Sequence, residues 1–160
     1  MLHAILERIT QGEGRDGDIE LLEEISGVLI DTSLCQLGGS APNPILSTVR
    51  YFRDEYDAHI RERRCPAGVC KALVDYAVTE ACTGCGVCAK ACPSNAIRGT
   101  TRQLHAVDPG PCIRCDACYQ VCKFGAITRV KRGDAIAVQQ RARERWQPVR
   151  ERAMASATAS

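Results

Sequence analysis

The chain has 160 residues, a formal net charge of +2, 4% aromatic residues and eleven cysteines. That length allows one domain or two small ones, and so few rings cannot dominate a core. No apolar run approaches the eighteen residues of a membrane span, and cysteines behind no n-region, apolar h-region or cleavage site point to a reducing compartment, so a soluble cytoplasmic protein is expected.

Leu2, Ile5, Leu6 and Ile9 recur at helical spacing and predict a helix over residues 1–10. No cap precedes it, which is expected of a helix that ends something longer. Gly12-Glu-Gly14-Arg-Asp-Gly17 follows no strand and has neither the ending of a P-loop nor GxGxxG spacing, so it reads as an inter-helix connection. Asp18 is placed to cap a second helix, with Ile19, Leu22, Ile25 and Leu29 inward and Glu20, Glu23 and Glu24 outward. The early acidic residues suit the helix dipole. A loop from Asp31 to Gly39 carries Cys35, and Asn43-Pro44 then opens a third helix whose inner face is Ile45, Val49, Phe52 and Tyr56. Three helices before residue 60 predict an antiparallel bundle over residues 1–58.

Residues 59–72 form a linker, His59-x5-Cys65-Pro-Ala-Gly-Val-Cys70. One His and two Cys supply three of the four ligands of a tetrahedral zinc site that would pin the two parts together. No fourth ligand is identifiable, and the alternative is a helix-end His beside two free thiols or a disulfide. His3 and His105 lack ligand-like company and are expected at the surface.

Over residues 73–130 the cysteines dominate. Cys82, Cys85, Cys88 and Cys92, then Cys112, Cys115, Cys118 and Cys122, form two C-x2-C-x2-C-x3-C runs. This spacing holds two [4Fe–4S] clusters in bacterial ferredoxins, where the fourth Cys of each run ligates the other cluster. By that rule Cys82, Cys85, Cys88 and Cys122 hold one cluster, and Cys112, Cys115, Cys118 and Cys92 the other. Tandem triple-Cys runs are unusual for zinc, and disulfides are disfavoured without a signal peptide. Small residues such as Gly84, Gly86 and Ala117 suit loops whose backbone must approach sulfur. Pro93 follows the first run but Lys123 the second, which places a positive charge beside the cluster of Cys82. Strands are expected at Leu73–Val78, Ala96–Arg98, His105–Val107 and Ala126–Val130, and the likeness of Gly125-Ala-Ile to Asn95-Ala-Ile signals an internal repeat. Tyr119 and Phe124 are expected to shield the clusters from water.

Residues 131–160 drop this pattern. A basic, solvated or subunit-contacting helix is expected from Ala135 to Trp146, an interruption at Pro148 and a disordered end from Met154. Lys and Arg number seven against twelve Asp and Glu in residues 1–64, six against four in 65–128, and eight against three in 129–160. The basic end carries no recognition motif, and no nucleic-acid partner is expected.

The run Asp31-Thr-Ser-Leu-Cys-Gln-Leu-Gly-Gly-Ser-Ala-Pro-Asn-Pro-Ile-Leu-Ser-Thr-Val-Arg-Tyr-Phe-Arg-Asp-Glu-Tyr resembles the C-terminal iron–sulfur helical domain of the NADH-binding flavoprotein subunit of respiratory complex I. With the cysteine runs added, it resembles most the relatives of that subunit in NADH-linked iron hydrogenases and formate dehydrogenases, which append a two-cluster ferredoxin module. The resemblance covers about residues 1–130. It implies a further [4Fe–4S] cluster whose fourth ligand matches Cys35, while the other three ligands and the FMN and NADH sites would lie upstream of Met1. No FMN or NADH site is therefore expected in this chain. Alone, Cys35 reads as a half-buried free thiol; as a ligand it requires three thiolates from a partner polypeptide or an upstream segment.

The fold class expected is α+β. The function expected is single-electron transfer between an NADH-linked flavoprotein and a hydrogenase, a formate dehydrogenase or a ferredoxin, by a component not catalytic alone. A stand-alone ferredoxin-type carrier with a helical docking domain is the alternative.

Overall fold

The computed structural model describes residues 1–147, so the end expected to be disordered lies outside the described residues. The architecture is α+β, divided into one compact unit from Met1 to Leu73 and a second that begins at Val74.

The first unit is helical: α1 Leu2–Thr10, α2 Asp18–Thr32, α3 Gln36–Ser40, α4 Asn43–Tyr51 and α5 Arg53–Ile60. Ile5 and Ile9 of α1 meet Ile19 and Leu22 of α2, Val49 of α4 and Ile60 of α5 in one core. The helical periodicity read from the sequence is therefore the packing pattern. Asp18 is the first helical residue rather than the cap, with Gly17 before it at φ +92°. Its carboxylate turns back to accept the Arg15 backbone N–H at 2.8 Å and both Nε and Nη2 of Arg8, tying α1 to α2. Burial works against this charge, but the Arg8 guanidinium together with the Arg15 N–H and side chain holds the Asp18 carboxyl below the usual carboxylate range.

Three further features of this unit differ from expectation. The loop carrying Cys35 contains the short helix α3. Leu29 is exposed, so the inward face of α2 ends before it. The helix expected to run through Phe52 breaks there, at φ −129° and ψ 32°, leaving that ring 54% exposed. The Ser47 and Thr48 hydroxyls donate to the Pro44 and Ile45 carbonyls, a pattern that bends helices.

In the second unit β1 Val74–Val78 pairs antiparallel with β4 Ile127–Lys131, and β2 Ile97–Arg98 pairs antiparallel with β3 Ala106–Val107. Between the strands lie α6 Val87–Ala91 and α7 Ala117–Val121, which pack on each other. The two halves repeat at an offset of thirty residues. Gly84 and Arg114 share positive φ (73° and 57°), as do Gly86 and Asp116 (75° and 68°) and Asn95 and Gly125 (51° and 59°).

The basic helix α8, Ala135–Arg145, is not simply solvated. It packs on β1 through Ala135, Gln139 and Ala142. The Gln139 amide accepts from the Val107 and Val78 N–H groups and donates to the Val107 carbonyl at 2.9 Å, filling backbone bonds that the short strands leave open. Beyond it, the Trp146 indole donates to the Cys82 carbonyl at 2.8 Å. Among the described residues no helix is long and apolar enough to cross a membrane.

Candidate metal centres

Each half of the repeat builds its thiol loop in the same way. The third cysteine sits in a five-residue helix that turns the chain, and the fourth cysteine follows in extended conformation. The backbone then folds over that last sulfur: Ala96 N–H donates to Cys92 Sγ at 3.2 Å, and Ala126 N–H donates to Cys122 Sγ at 3.3 Å. Gly84 N–H donates to Cys82 Sγ at 3.4 Å. Gly84 is required there, because a Cβ would stand 2.5–2.7 Å from the backbone of Arg102 and Gln103.

The thiols gather into two cavities. Cys82, Cys85 and Cys88 share the first with Cys122, together with Thr83, His105 and Phe124. Cys112, Cys115 and Cys118 share the second with Cys92, together with Tyr76, Ser94 and Asp116. Each cavity thus takes its fourth thiol from the opposite run. The buried Cys88 and Cys118 are close enough to influence each other. Burial, reinforced by the neighbouring thiols of Cys112, Cys115 and Cys88, pushes the Cys118 thiol up to about 12, and burial with Cys82 nearby also raises Cys88. Cys88 and Cys118 resist ionisation where no cation offsets the neighbouring sulfurs, which is the chemistry of a thiolate metal site. Burial opposes charge at Cys92 too, yet the Ser94 hydroxyl and the N–H groups of Ala96, Ser94 and Ile97 lower that thiol. The Thr83 hydroxyl, buried without a partner among the described residues, lines the first cavity, where it would be able to donate a hydrogen bond to cluster sulfur. The residues present therefore fit iron–sulfur clusters.

Not every expectation about the surroundings holds. His105 is not at the surface: it is 2% exposed, lines the first cavity, and holds Nδ1 at 3.1 Å from the Gln103 carbonyl. Phe124 lines the first cavity but remains half open to solvent, and Tyr119 stacks against Arg129, whose guanidinium carbon lies 4.5 Å from the ring centre. His3 is exposed, 3.8 Å from Glu7.

Sequence reasoning passed over Asp116, Arg129 and Tyr76. The Asp116 carboxylate accepts the Tyr76 hydroxyl at 2.7 Å, Arg129 Nη2 at 2.8 Å and Nε at 3.2 Å, and the Gln120 amide at 3.2 Å. Its left-handed backbone costs of order 1 kcal/mol relative to the glycine that stands at the equivalent position, Gly86. Burial, with the Asp116 carboxylate against it, pushes the Tyr76 phenol up to about 12. Comparison of the two halves at the thirty-residue offset was the available signal, since it sets Asp116 against Gly86.

In the first unit the ligand atoms of His59, Cys65 and Cys70 all lie within 4.8 Å of one another. His59 Nδ1 donates to the Glu55 carbonyl at 2.6 Å, which leaves Nε2 free to ligate and 3.4 Å from Cys70 Sγ. Burial opposes charge at Cys65, but the N–H groups of Cys70 and Val69, with the Cys70 thiol and His59, hold it down to about 7. Burial and the facing Cys65 push Cys70 up to about 11. One thiolate beside one thiol is a natural apo state for such a site. Cys35 is not half-buried as expected: it is exposed at the start of α3, between the exposed Leu34 and Leu37.

Residues 1–59 match the NADH-ubiquinone oxidoreductase-F iron-sulfur binding region, and residues 81–126 match the 4Fe-4S dicluster domain. The NADP-reducing hydrogenase subunit HndC of Solidesulfovibrio fructosivorans is 48% identical over 129 residues, 80% of this chain and 26% of that protein. The F subunit of the NADH-quinone oxidoreductase of Mycobacterium tuberculosis is 42% identical over 65 residues, 41% of this chain and 15% of that protein. Its namesake in Escherichia coli is 37% identical over 59 residues, 36% of this chain and 13% of that protein. The chain thus spans about a quarter or less of the length of these relatives. It is an iron–sulfur protein that carries an NADH-ubiquinone oxidoreductase-F iron–sulfur binding region followed by a 4Fe–4S dicluster domain.

Proposed function

We propose that the second unit holds two [4Fe–4S] clusters, one on Cys82, Cys85, Cys88 and Cys122 and one on Cys112, Cys115, Cys118 and Cys92. Bound there, the clusters would supply one-electron redox chemistry between an NADH-linked flavoprotein and a hydrogenase or formate dehydrogenase subunit, or a ferredoxin. The observation that carries this reading is the pair of thiol-lined cavities, each completed from the other run. The chain itself ligates, donates hydrogen bonds to sulfur and excludes water; the substrate chemistry belongs to its partners.

Cys35 would complete a third cluster with three thiolates from outside this sequence, and the exposed Leu34 and Leu37 give a partner apolar surface to cover. Iron, sulfide and zinc analysis of anaerobically purified protein, with EPR of the dithionite-reduced state, tests the reading. About eight irons with the signal of two coupled clusters is the expected result. About twelve would show Cys35 ligated, and near-zero iron rejects the proposal.

A zinc ion on His59, Cys65 and Cys70 would fix the end of α5 to the Cys65–Cys70 loop. Between about pH 7 and pH 11, binding must displace the Cys70 proton, so apparent affinity should rise about tenfold per pH unit. Below about pH 7 the Cys65 proton must leave as well, and the slope steepens. Competition against a chromophoric chelator across neutral pH measures this, and a flat profile excludes thiolate ligation.

A further inference from the structure

The two thiol cavities are built from repeated halves, but their surroundings are not equivalent. At the first, Gly86 and Gly99 stand beside His105: a Cβ on Gly86 would touch its Nε2 at an ordinary 3.9 Å, whereas a Cβ on Gly99 would meet the imidazole at 2.8 Å. At the second, the positions thirty residues on are Asp116 and Arg129, and these two form a bidentate ion pair. Their side chains are only 21% and 30% exposed, so solvent screening is reduced. Asp116 and Tyr76 line the second cavity with Cys92, Cys112, Cys115 and Cys118, and the Tyr76 hydroxyl donates to the same carboxylate. Arg129 is in turn steadied by the Tyr119 ring.

We propose that the Asp116–Arg129 pair is a potential-tuning device acting on one cluster site alone, the one lined by Cys92, Cys112, Cys115 and Cys118. The inference rests on the two-cluster reading above. Reduction adds one electron to that site. A nearby carboxylate opposes the added charge and a guanidinium favours it, so the pair holds the two effects in balance. Asp116 and Arg129 are positioning residues here: they act through the field at the thiolates and ligate nothing.

Paired substitutions with opposite charge effects separate tuning from structural support. Asp116→Gly restores the residue found at the equivalent position of the other half and suits the left-handed backbone, so folding is retained. In an EPR-monitored titration of the full, cluster-loaded chain with dithionite, Asp116→Gly should raise the midpoint of one cluster and Arg129→Met should lower that same midpoint. The double variant should return it toward the original value, and the other cluster's midpoint should stay in place throughout. Normal iron with shifts of the same sign, with shifts in both clusters, or with none overturns the tuning role while leaving the two-cluster reading intact. An unsubstituted chain that binds no iron fails at the earlier step, and iron analysis of each preparation separates the two failures. Should Arg129→Met lose its clusters, Arg129→Gln and Asp116→Gly supply the same two signs.

Discussion

Removal of iron from the intact chain is expected to unfold the part from Val74 onward and to leave the helices of residues 1–73 in place. The second unit has little else to hold it. Its core contains Tyr76, Val78, Ile97, Val107, Ala126 and Ile127, and the remaining buried members are Cys82, Cys88 and Cys118. Its sheets are two separate two-stranded pairs, one of them only two residues long on each side, and such pairs are marginal in water. A core of this size needs a staple, and cluster binding would here be folding free energy. Without metal, four thiols face each cavity, and the buried Cys118 is driven toward its neutral form, so neither bonds nor charge pairing replace the lost ligation. The first unit has its own core around Leu22 and does not draw on those cysteines. Limited proteolysis after chelation, read by mass spectrometry, should show new cleavage confined to residues after 73. The far-UV helical signal should fall by less than half, because most of the helical residues belong to the first unit. Continued protection of residues 74–147 in iron-free protein would show that the polypeptide alone specifies the fold.

The cysteine framework was legible from spacing because ligation imposes it: three thiols from one tight loop reach one site, and the fourth must come from elsewhere. The helices of the first unit were legible from Ile5, Ile9, Ile19 and Leu22, whose period is that of a buried face. What stayed hidden depends on partners distant in sequence. His105 carries no ligand-like neighbours in the chain, and the missing side chain at Gly99 makes space against which it is buried. The docking of α8 rests on Ala135, Gln139 and Ala142, a face too small and polar to register as hydrophobic, and on an amide satisfying strand edges more than thirty residues away. The break at Phe52 follows a turn in which the Ser47 and Thr48 hydroxyls bond back to the helix, which periodicity does not sense. Asp116 was passed over because aspartate beside cysteine in a loop is ordinary until its φ of 68° and its bond to Arg129 are seen.

Substitution of the two fourth cysteines should remove clusters crosswise. Cys122 lies in the second run, yet it lines the cavity of Cys82, Cys85 and Cys88; Cys92 lies in the first run and lines the cavity of Cys112, Cys115 and Cys118. Cys122→Ala is therefore expected to abolish the same four-iron signal as Cys85→Ala, and Cys92→Ala the same signal as Cys115→Ala. Each should retain about half of the iron of the original protein. The combinations decide the matter. Cys122→Ala with Cys85→Ala removes two ligands of one site and should cost little more than either alone, whereas Cys122→Ala with Cys115→Ala strikes both sites and should leave almost no four-iron signal. Residues acting as one unit are non-additive, and residues in separate units add. If Cys122→Ala instead matches Cys115→Ala, each run closes its own cluster. The hydrogen bonds from Ala126 N–H to Cys122 Sγ and from Ala96 N–H to Cys92 Sγ would then be serving sites within the same run rather than joining the two halves. Crossed loss would explain why the repeat folds as one body: neither half can keep its metal without a thiolate from the other.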